Sequence, residues 1–163
     1  DGQPLAIQHW YRSDSPLNVS IATFLEANLA TVGIDFVLNG AAQAGYFDAV
    51  RAGEHNTQGW WDTWTDPGGL AVLFDSSNAD GGTNRNRYRS EAMDALLDEA
   101  AGAADTTARA ALYAEIQKLA ADDAIMVYLN DPYLLYASSA SLQGVKYLAG
   151  GNLPNLYAAS LSS

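Results

Sequence analysis

Two periodicities alternate at the start of this chain, and that alternation restricts its fold more than any other feature. Leu5-Ala6-Ile7-Gln8-His9-Trp10-Tyr11 reads as a strand of mostly apolar residues. Ser15 then caps a helix whose first turn takes Pro16. Leu17, Ile21, Phe24, Leu25, Leu29 and Val32 recur at helical spacing until Gly33 stops it. Residues 34–38 form the next strand. A helix over residues 42–52 carries Tyr46, Phe47 and Val50 on one face and ends at Gly53. Strand, helix, strand, helix with short connections favours an α/β fold, a mainly parallel or mixed sheet with helices packed on it. Residues 57–61 read as a further short strand.

The remainder is organised differently. Residues 66–89 are loop-like, with Pro67-Gly68-Gly69 and Asn78-Ala79-Asp80-Gly81-Gly82 as turn signals and a short helical turn over Leu70, Val72, Leu73 and Phe74. Ser90 caps a helix carrying Met93, Leu96, Leu97 and Ala100, which Gly102 ends. Asp105-Thr106-Thr107 begins another, with Leu112, Ile116 and Leu119 as its expected inner face. Residues 124–136 are β-prone, and residues 142–159 read as irregular chain with short extended pieces.

The densest chemistry lies in Gly59-Trp60-Trp61-Asp62-Thr63-Trp64-Thr65-Asp66-Pro67, which holds three of the 4 tryptophans. It starts at a strand's carboxyl end and continues into a loop, where ligands bind in open α/β sheets. Trp60, Trp61 and Trp64 do not all share one face of an extended segment. Trp60 or Trp64 is expected at a cleft and Trp61 in the core; packing of all three is the alternative. Arg85 and Arg87 form a close basic pair in an acidic chain. They suit bidentate contact with a ligand carboxylate, or stand as loop residues answering nearby acids. His9, in an alternating run, is expected to be structural, and His55 a solvated turn residue. Asp75, Asn78 and Asp80 miss the calcium-loop spacing, and Asn86 stands where that loop needs a bidentate Glu, so a polar turn is expected there and no metal.

Charge and composition exclude other classes. With 8 basic and 19 acidic residues the formal charge is −11, which disfavours nucleic acid and anionic membrane as partners. The absence of cysteine removes disulfides, thiolate catalysis and Cys-based zinc sites. No apolar run reaches the length of a membrane span. The chain opens Asp1-Gly2-Gln3-Pro4 without the basic n-region of a secretory signal, as expected of a processed precursor or an excised domain. No nucleophile elbow, His-Glu-x-x-His pair or phosphate-binding glycine loop occurs. Asp62 and Asp66 could in principle serve as the acid/base pair of carboxylate-based glycoside hydrolysis, although Asp66-Pro67 reads better as turn chemistry. The expectation is a binding protein, not an enzyme, with no cofactor.

Several separated segments, in order, carry a family resemblance. They are Leu29-Ala30-Thr31-Val32-Gly33-Ile34; Tyr46-Phe47 through Arg51-Ala52-Gly53; Trp60 to Pro67; Asn84 to Tyr88; and Met93-Asp94-Ala95-Leu96-Leu97-Asp98-Glu99-Ala100. Asp105 through Arg109-Ala110-Ala111-Leu112-Tyr113 and Ala121-Asp122-Asp123-Ala124 with Val127-Tyr128-Leu129 complete the series. Together they resemble the distal lobe of the family 5 extracellular solute-binding proteins, the dipeptide, oligopeptide and nickel binding components of ABC importers. The resemblance implies one lobe of a type II periplasmic-binding-protein-like fold, with residues 1–163 a single domain and a fragment of a two-lobed parent. It implies a periplasmic or extracellular location, membrane anchoring through a preceding segment as an option, and as partners a solute, a membrane permease and the proximal lobe. In peptide-binding members an Asp three residues after the first Trp of the motif pairs with the peptide α-amino group; that position here is Thr63, and Asp62 lies one residue earlier. The expected ligand-binding residues are therefore Trp60, Asp62, Thr63, Trp64 and Arg87. The solute is a peptide or other small polar molecule, with an oligosaccharide or a glycoside-hydrolase function as alternatives.

Overall fold

A computed structural model describes residues 5–60, 64–130, 135–147 and 154–162. They form two compact units. The first comprises the described residues up to Trp60 with Ser76–Arg89; the second comprises residues 64–75 with the described residues from Ser90 onward.

The first unit realises the strand–helix alternation. Its elements are β1 (Leu5–Arg12), α1 (Pro16–Ala30), β2 (Ile34–Ala41), α2 (Gln43–Ala52) and β3 (Thr57–Gln58). The three strands make one parallel sheet in the order β2-β1-β3, with Leu5 opposite Ile34, Arg12 opposite Ala41, and His9 opposite Thr57. The Ser15 hydroxyl accepts from the Asn18 N–H and Pro16 occupies the first turn of α1, so a donor that lacks a helical partner is satisfied. Gly53 closes α2 at φ 78°, a left-handed cap that a side chain would resist. Ala22, Phe36, Tyr46, Ala49 and Val50 form the core, with His9 buried among them. The closest approach of α1 is made through its small Ala22, and the larger Leu17 and Phe24 remain exposed.

Strand β3 is two residues long, not five. The Gly59 N–H still donates to the Trp10 carbonyl at 3.1 Å, and the Gly59 carbonyl accepts from the buried Tyr46 hydroxyl at 2.6 Å; among the described residues the strand ends at Gln58, and Trp61, the last of the expected five, lies outside them. A loop of the same unit, residues 76–89, folds on itself. Buried Asn84 donates to the Tyr88 carbonyl and accepts from the Tyr88 N–H, and Arg89 pairs with Asp80 at 2.6 Å. Asp80 is thus engaged with an arginine in the polar turn expected there.

The second unit holds a 3₁₀ turn at Pro67–Gly69, α3 (Leu70–Phe74), α4 (Glu91–Gly102) and α5 (Thr106–Asp122). Ser90 and Asp105 cap the two long helices through hydrogen bonds to the N–H groups of Met93 and Ala108. Two short antiparallel pairs complete the unit: β4 (Leu142–Gln143) with β7 (Ser160–Leu161), and β5 (Lys146–Tyr147) with β6 (Pro154–Asn155). Helices α4 and α5 pack through Met93, Leu97 and Ala100 on one side and Tyr113, Ile116 and Ala120 on the other. The buried stripe of α5 therefore runs one position beyond the expected Leu112 and Leu119, which are half-buried. Ala120 permits the close approach, and the Tyr113 ring supplies area that a count of aliphatic residues misses. The β-prone residues 124–130 and 135–136 form no strand. Ala124 breaks the chain direction at φ 52°, and no strand among the described residues pairs with residues 125–130 or 135–136.

Candidate functional site

The Trp60 corner is built from the sequence outward. Tyr46 projects from α2 into the core, and its hydroxyl donates to Gly59 O and lies 2.9 Å from Gln58 Oε1, which fixes the backbone immediately before Trp60. Burial pushes the Tyr46 hydroxyl up to about 12, so it stays protonated as a donor. Gln58 Nε2 lies 3.5 Å from Asn86 Oδ1, joining this strand end to the loop that carries Arg85 and Arg87.

Arg85 lies against two rings. Its guanidinium carbon is 4.7 Å from the Phe47 ring centre and 4.5 Å from the Trp60 ring centre. Its Nε and Nη1 are buried with no hydrogen-bond partner, as is Trp60 Nε1. Burial lowers the Arg85 pKa, and repulsion from Arg51 lowers it further, although a guanidinium remains charged at any physiological pH. The view of Arg85 as a solvated loop residue answering nearby acids is corrected here: its neighbours are aromatic faces, and the attraction is cation–π. Arg87 stays exposed, with an unusual φ of 53°; its guanidinium packs over Gly53 and its Nη2 donates to the Arg51 carbonyl at 3.5 Å. A side chain at Gly53 would overlap that guanidinium. His55 is half-buried, not solvated. Its Nδ1 is buried without a partner, and burial lowers its pKa ahead of the repulsion from Arg87 and Arg85.

His9 belongs to the scaffold, as its alternating run predicts. It stacks on Phe36 at 4.8 Å, and its Nδ1 lies 3.0 Å from the Thr57 hydroxyl. Burial lowers its pKa to about 4, which keeps it neutral.

Trp64 lies in the second unit and is described separately from Trp60. It is partly exposed, at 38%, and its ring covers Gly69 so closely that a Cβ there would overlap it. The turn beneath is fixed by Asp66. One carboxylate oxygen accepts from the Gly68 N–H at 2.7 Å, and Arg109 of α5 binds both oxygens at 2.7 and 2.9 Å. Arg109 also lies 5.0 Å over the Tyr113 ring. The Arg109 bonds, then the Gly68 N–H, hold the Asp66 carboxyl at about 2. An acid so stabilised in its ionised form is a poor proton donor at neutral pH, which removes Asp66 from the general-acid role in a hydrolytic pair. Asp62 and Thr63, like Trp61, lie outside the described residues. Among the described residues no group of three or more acidic or histidine side chains is assembled for a metal ion.

Of the expected ligand-binding residues, Trp60 and Arg87 fall in one unit, on the strand end and on the loop tied to it. The residue undervalued by sequence reasoning is Arg85, together with Phe47, the second ring it contacts. The proximity of Arg85 and Arg87 in an acidic chain was the available signal; the distant rings that select Arg85 were not.

Comparison with known proteins places this geometry in context. No protein-family model matches the chain. A probable D,D-dipeptide-binding periplasmic protein of Escherichia coli (strain K12) is 28% identical over 145 residues, covering 87% of this chain and 28% of that protein. Among solved structures, the ABC transporter-associated periplasmic binding protein DppA of Helicobacter pylori, in complex with the peptide STSA, is 27% identical. It superposes with a TM-score of 0.66 over 76% of this chain and 25% of its own. HbpA2 of Haemophilus parasuis superposes with a TM-score of 0.75 over 99% of this chain and 33% of its own; at 24% identity that likeness shows the fold alone. The chain thus spans between 25% and 33% of the length of these proteins. The fold is that of part of a periplasmic binding protein, and the likeness to the family 5 solute-binding proteins extends over most of the chain.

Proposed function

We propose, for a chain that resembles the family 5 solute-binding proteins over most of its length, that it is part of the solute-binding component of an ABC importer. In this reading it is a lobe that holds a peptide or other small polar solute against a second lobe, and it performs no catalysis. Its location is periplasmic or extracellular and its partner is a membrane permease. The observation that carries the reading is the likeness to a dipeptide-binding protein along nearly the whole chain, with the Trp60 corner at the carboxyl end of a parallel strand.

Trp60, Asp62, Thr63, Trp64 and Arg87 are the proposed contacts. The Thr63 hydroxyl replaces the carboxylate that pairs with a peptide amino group in the peptide-binding members. A hydroxyl supplies no charge for an ammonium in a partly buried cleft, so Asp62 is the nearest residue able to take that role. Arg85 already engages the Trp60 ring, which leaves that ring a poorer host for a second cation.

The test is calorimetric titration of the full-length protein with L,L- and D,D-dipeptides, longer peptides and oligosaccharides. Trp60→Ala or Trp64→Ala is expected to weaken binding of the solute found by about 1–3 kcal/mol, the range for burying one such side chain. If both variants bind like wild type, the cluster is structural. Turnover of a chromogenic glycoside that is lost in Asp62→Asn would replace the binding reading with the hydrolase alternative.

A further inference from the structure

Trp64 belongs to no helix or strand, so its place depends on what its ring rests on. The ring lies on Gly69 with no room for a Cβ between them, and where the turn stands the ring stands. Inside the turn, the Gly69 N–H donates to the Asp66 carbonyl at 3.2 Å and the Gly68 N–H to the Asp66 carboxylate at 2.7 Å. These bonds shape residues 66–69 from within. Arg109 ties them to α5. Its two terminal nitrogens bind the two Asp66 oxygens at 2.7 and 2.9 Å, and its guanidinium lies 5.0 Å over the Tyr113 ring. Tyr113 is buried on the face of α5 that packs against α4. A two-point bond fixes the angle between its partners as well as their separation, which a single contact does not.

The geometry points to Arg109 as a positioning residue for peptide binding, acting from α5 through Asp66 and its turn onto the Trp64 ring. This rests on the reading of Trp64 as a solute contact and adds to it a residue that works at one remove. The terminal nitrogens of Arg109 are engaged by Asp66 and its plane rests on Tyr113, so its effect passes through the turn. When the arginine is removed, the Gly68 N–H keeps its acceptor on Asp66. The turn then retains its internal bonds and loses its tie to α5, and Trp64 loses a fixed place. A positioning role has a signature that a stabilising ion pair lacks. The affinity lost with Arg109 must depend on the indole being present, because two residues that act through one contact are not additive.

The test is a double-mutant cycle in the full-length protein, titrated calorimetrically with D-alanyl-D-alanine, L-alanyl-L-alanine and tri-L-alanine, each separately. For a peptide that binds, Arg109→Gln is expected to weaken affinity by about fivefold or more in the wild-type background, and by less than about twofold when Trp64→Ala is already present. The near-ultraviolet circular dichroism change caused by Arg109→Gln is expected to vanish in the Trp64→Ala background as well. Far-ultraviolet circular dichroism checks the fold. Asp66→Asn keeps an oxygen for the Gly68 N–H and removes the ion pair, so it carries the same cycle should Arg109→Gln fail to fold. If Trp64→Ala weakens binding while the ion-pair variant binds like wild type, or costs the same with and without the indole, the positioning role is overturned and the solute contact stands. If the wild type binds none of the three peptides, or Trp64→Ala binds like wild type, the underlying reading fails and the positioning role falls with it.

Discussion

Asp66 shows how one carboxylate shapes the turn that presents Trp64. It accepts from Gly68 N and from two nitrogens of Arg109, and these bonds are stronger with the ionised acid. Its folded pKa of about 2 lies below the ordinary 3.8, so its contribution to stability is complete above about pH 4 and is lost as pH falls through about 2. Thermal midpoints of wild type and Asp66→Asn are accordingly expected to differ at neutral pH and to converge toward pH 2; a difference unchanged at low pH would show that the ion pair is not its source. Gly69 is constrained by the same turn. Gly69→Ala places a methyl group inside the Trp64 ring. It is expected to reproduce most of the binding loss of Trp64→Ala in the full-length protein, with near-ultraviolet circular dichroism reporting the displaced ring. The turn at Asp66 was legible, because Pro67-Gly68-Gly69 marks it locally. The role of Arg85 was not, because its character comes from Phe47 and Trp60, which are brought to it only by folding.

At the scale of elements, legibility depends on how local the cause is. The parallel sheet of the first unit could be read from alternating periods and caps, because Ser15, Gly33 and Gly53 act within a turn of where they stand. Ile116 lies on the buried face of α5 as expected, but Tyr113 and Ala120, not Leu112 and Leu119, flank it there. Residues 124–130 are β-prone by composition, yet a strand also requires a neighbour, which composition cannot supply. β1 carries a consequence of burial that can be measured. His9 is neutral in the folded protein, with a pKa near 4 against 6.5 for a free histidine. As pH falls below 6.5 the unfolded chain takes up a proton that the folded chain refuses, so stability declines between pH 6.5 and about 4 and is fully present above that window. A gap of that size corresponds to at most about 3 kcal/mol. Denaturant unfolding of wild type and His9→Gln across this range tests it: the variant, which retains a partner for Thr57, is expected to lose the slope. An equal slope in both proteins would place its origin in another group.

For the molecule as a whole, the informative surface belongs to the second unit. Val127 is 80% exposed, Leu135 92% and Leu161 76%, and Tyr128 and Leu129 are also exposed. Scattered apolar residues on a surface are ordinary, but several within one short region are the mark of a surface that another chain or segment covers. The proteins this chain resembles are about three times as long as it is. The two facts together lead to a prediction about the chain taken alone. Residues 1–163 expressed by themselves are expected to bind a hydrophobic dye and to associate at micromolar concentration, while a protein of the relatives' length remains monomeric and dark under the same conditions. Sedimentation velocity and dye fluorescence measured on both lengths decide it. Val127→Thr with Leu129→Thr in the short form is expected to reduce both signals, because these side chains supply the exposed area. A short form that is monomeric and dye-free would mean that this region needs no cover, and would remove the physical ground for treating the chain as one lobe of a larger binding protein.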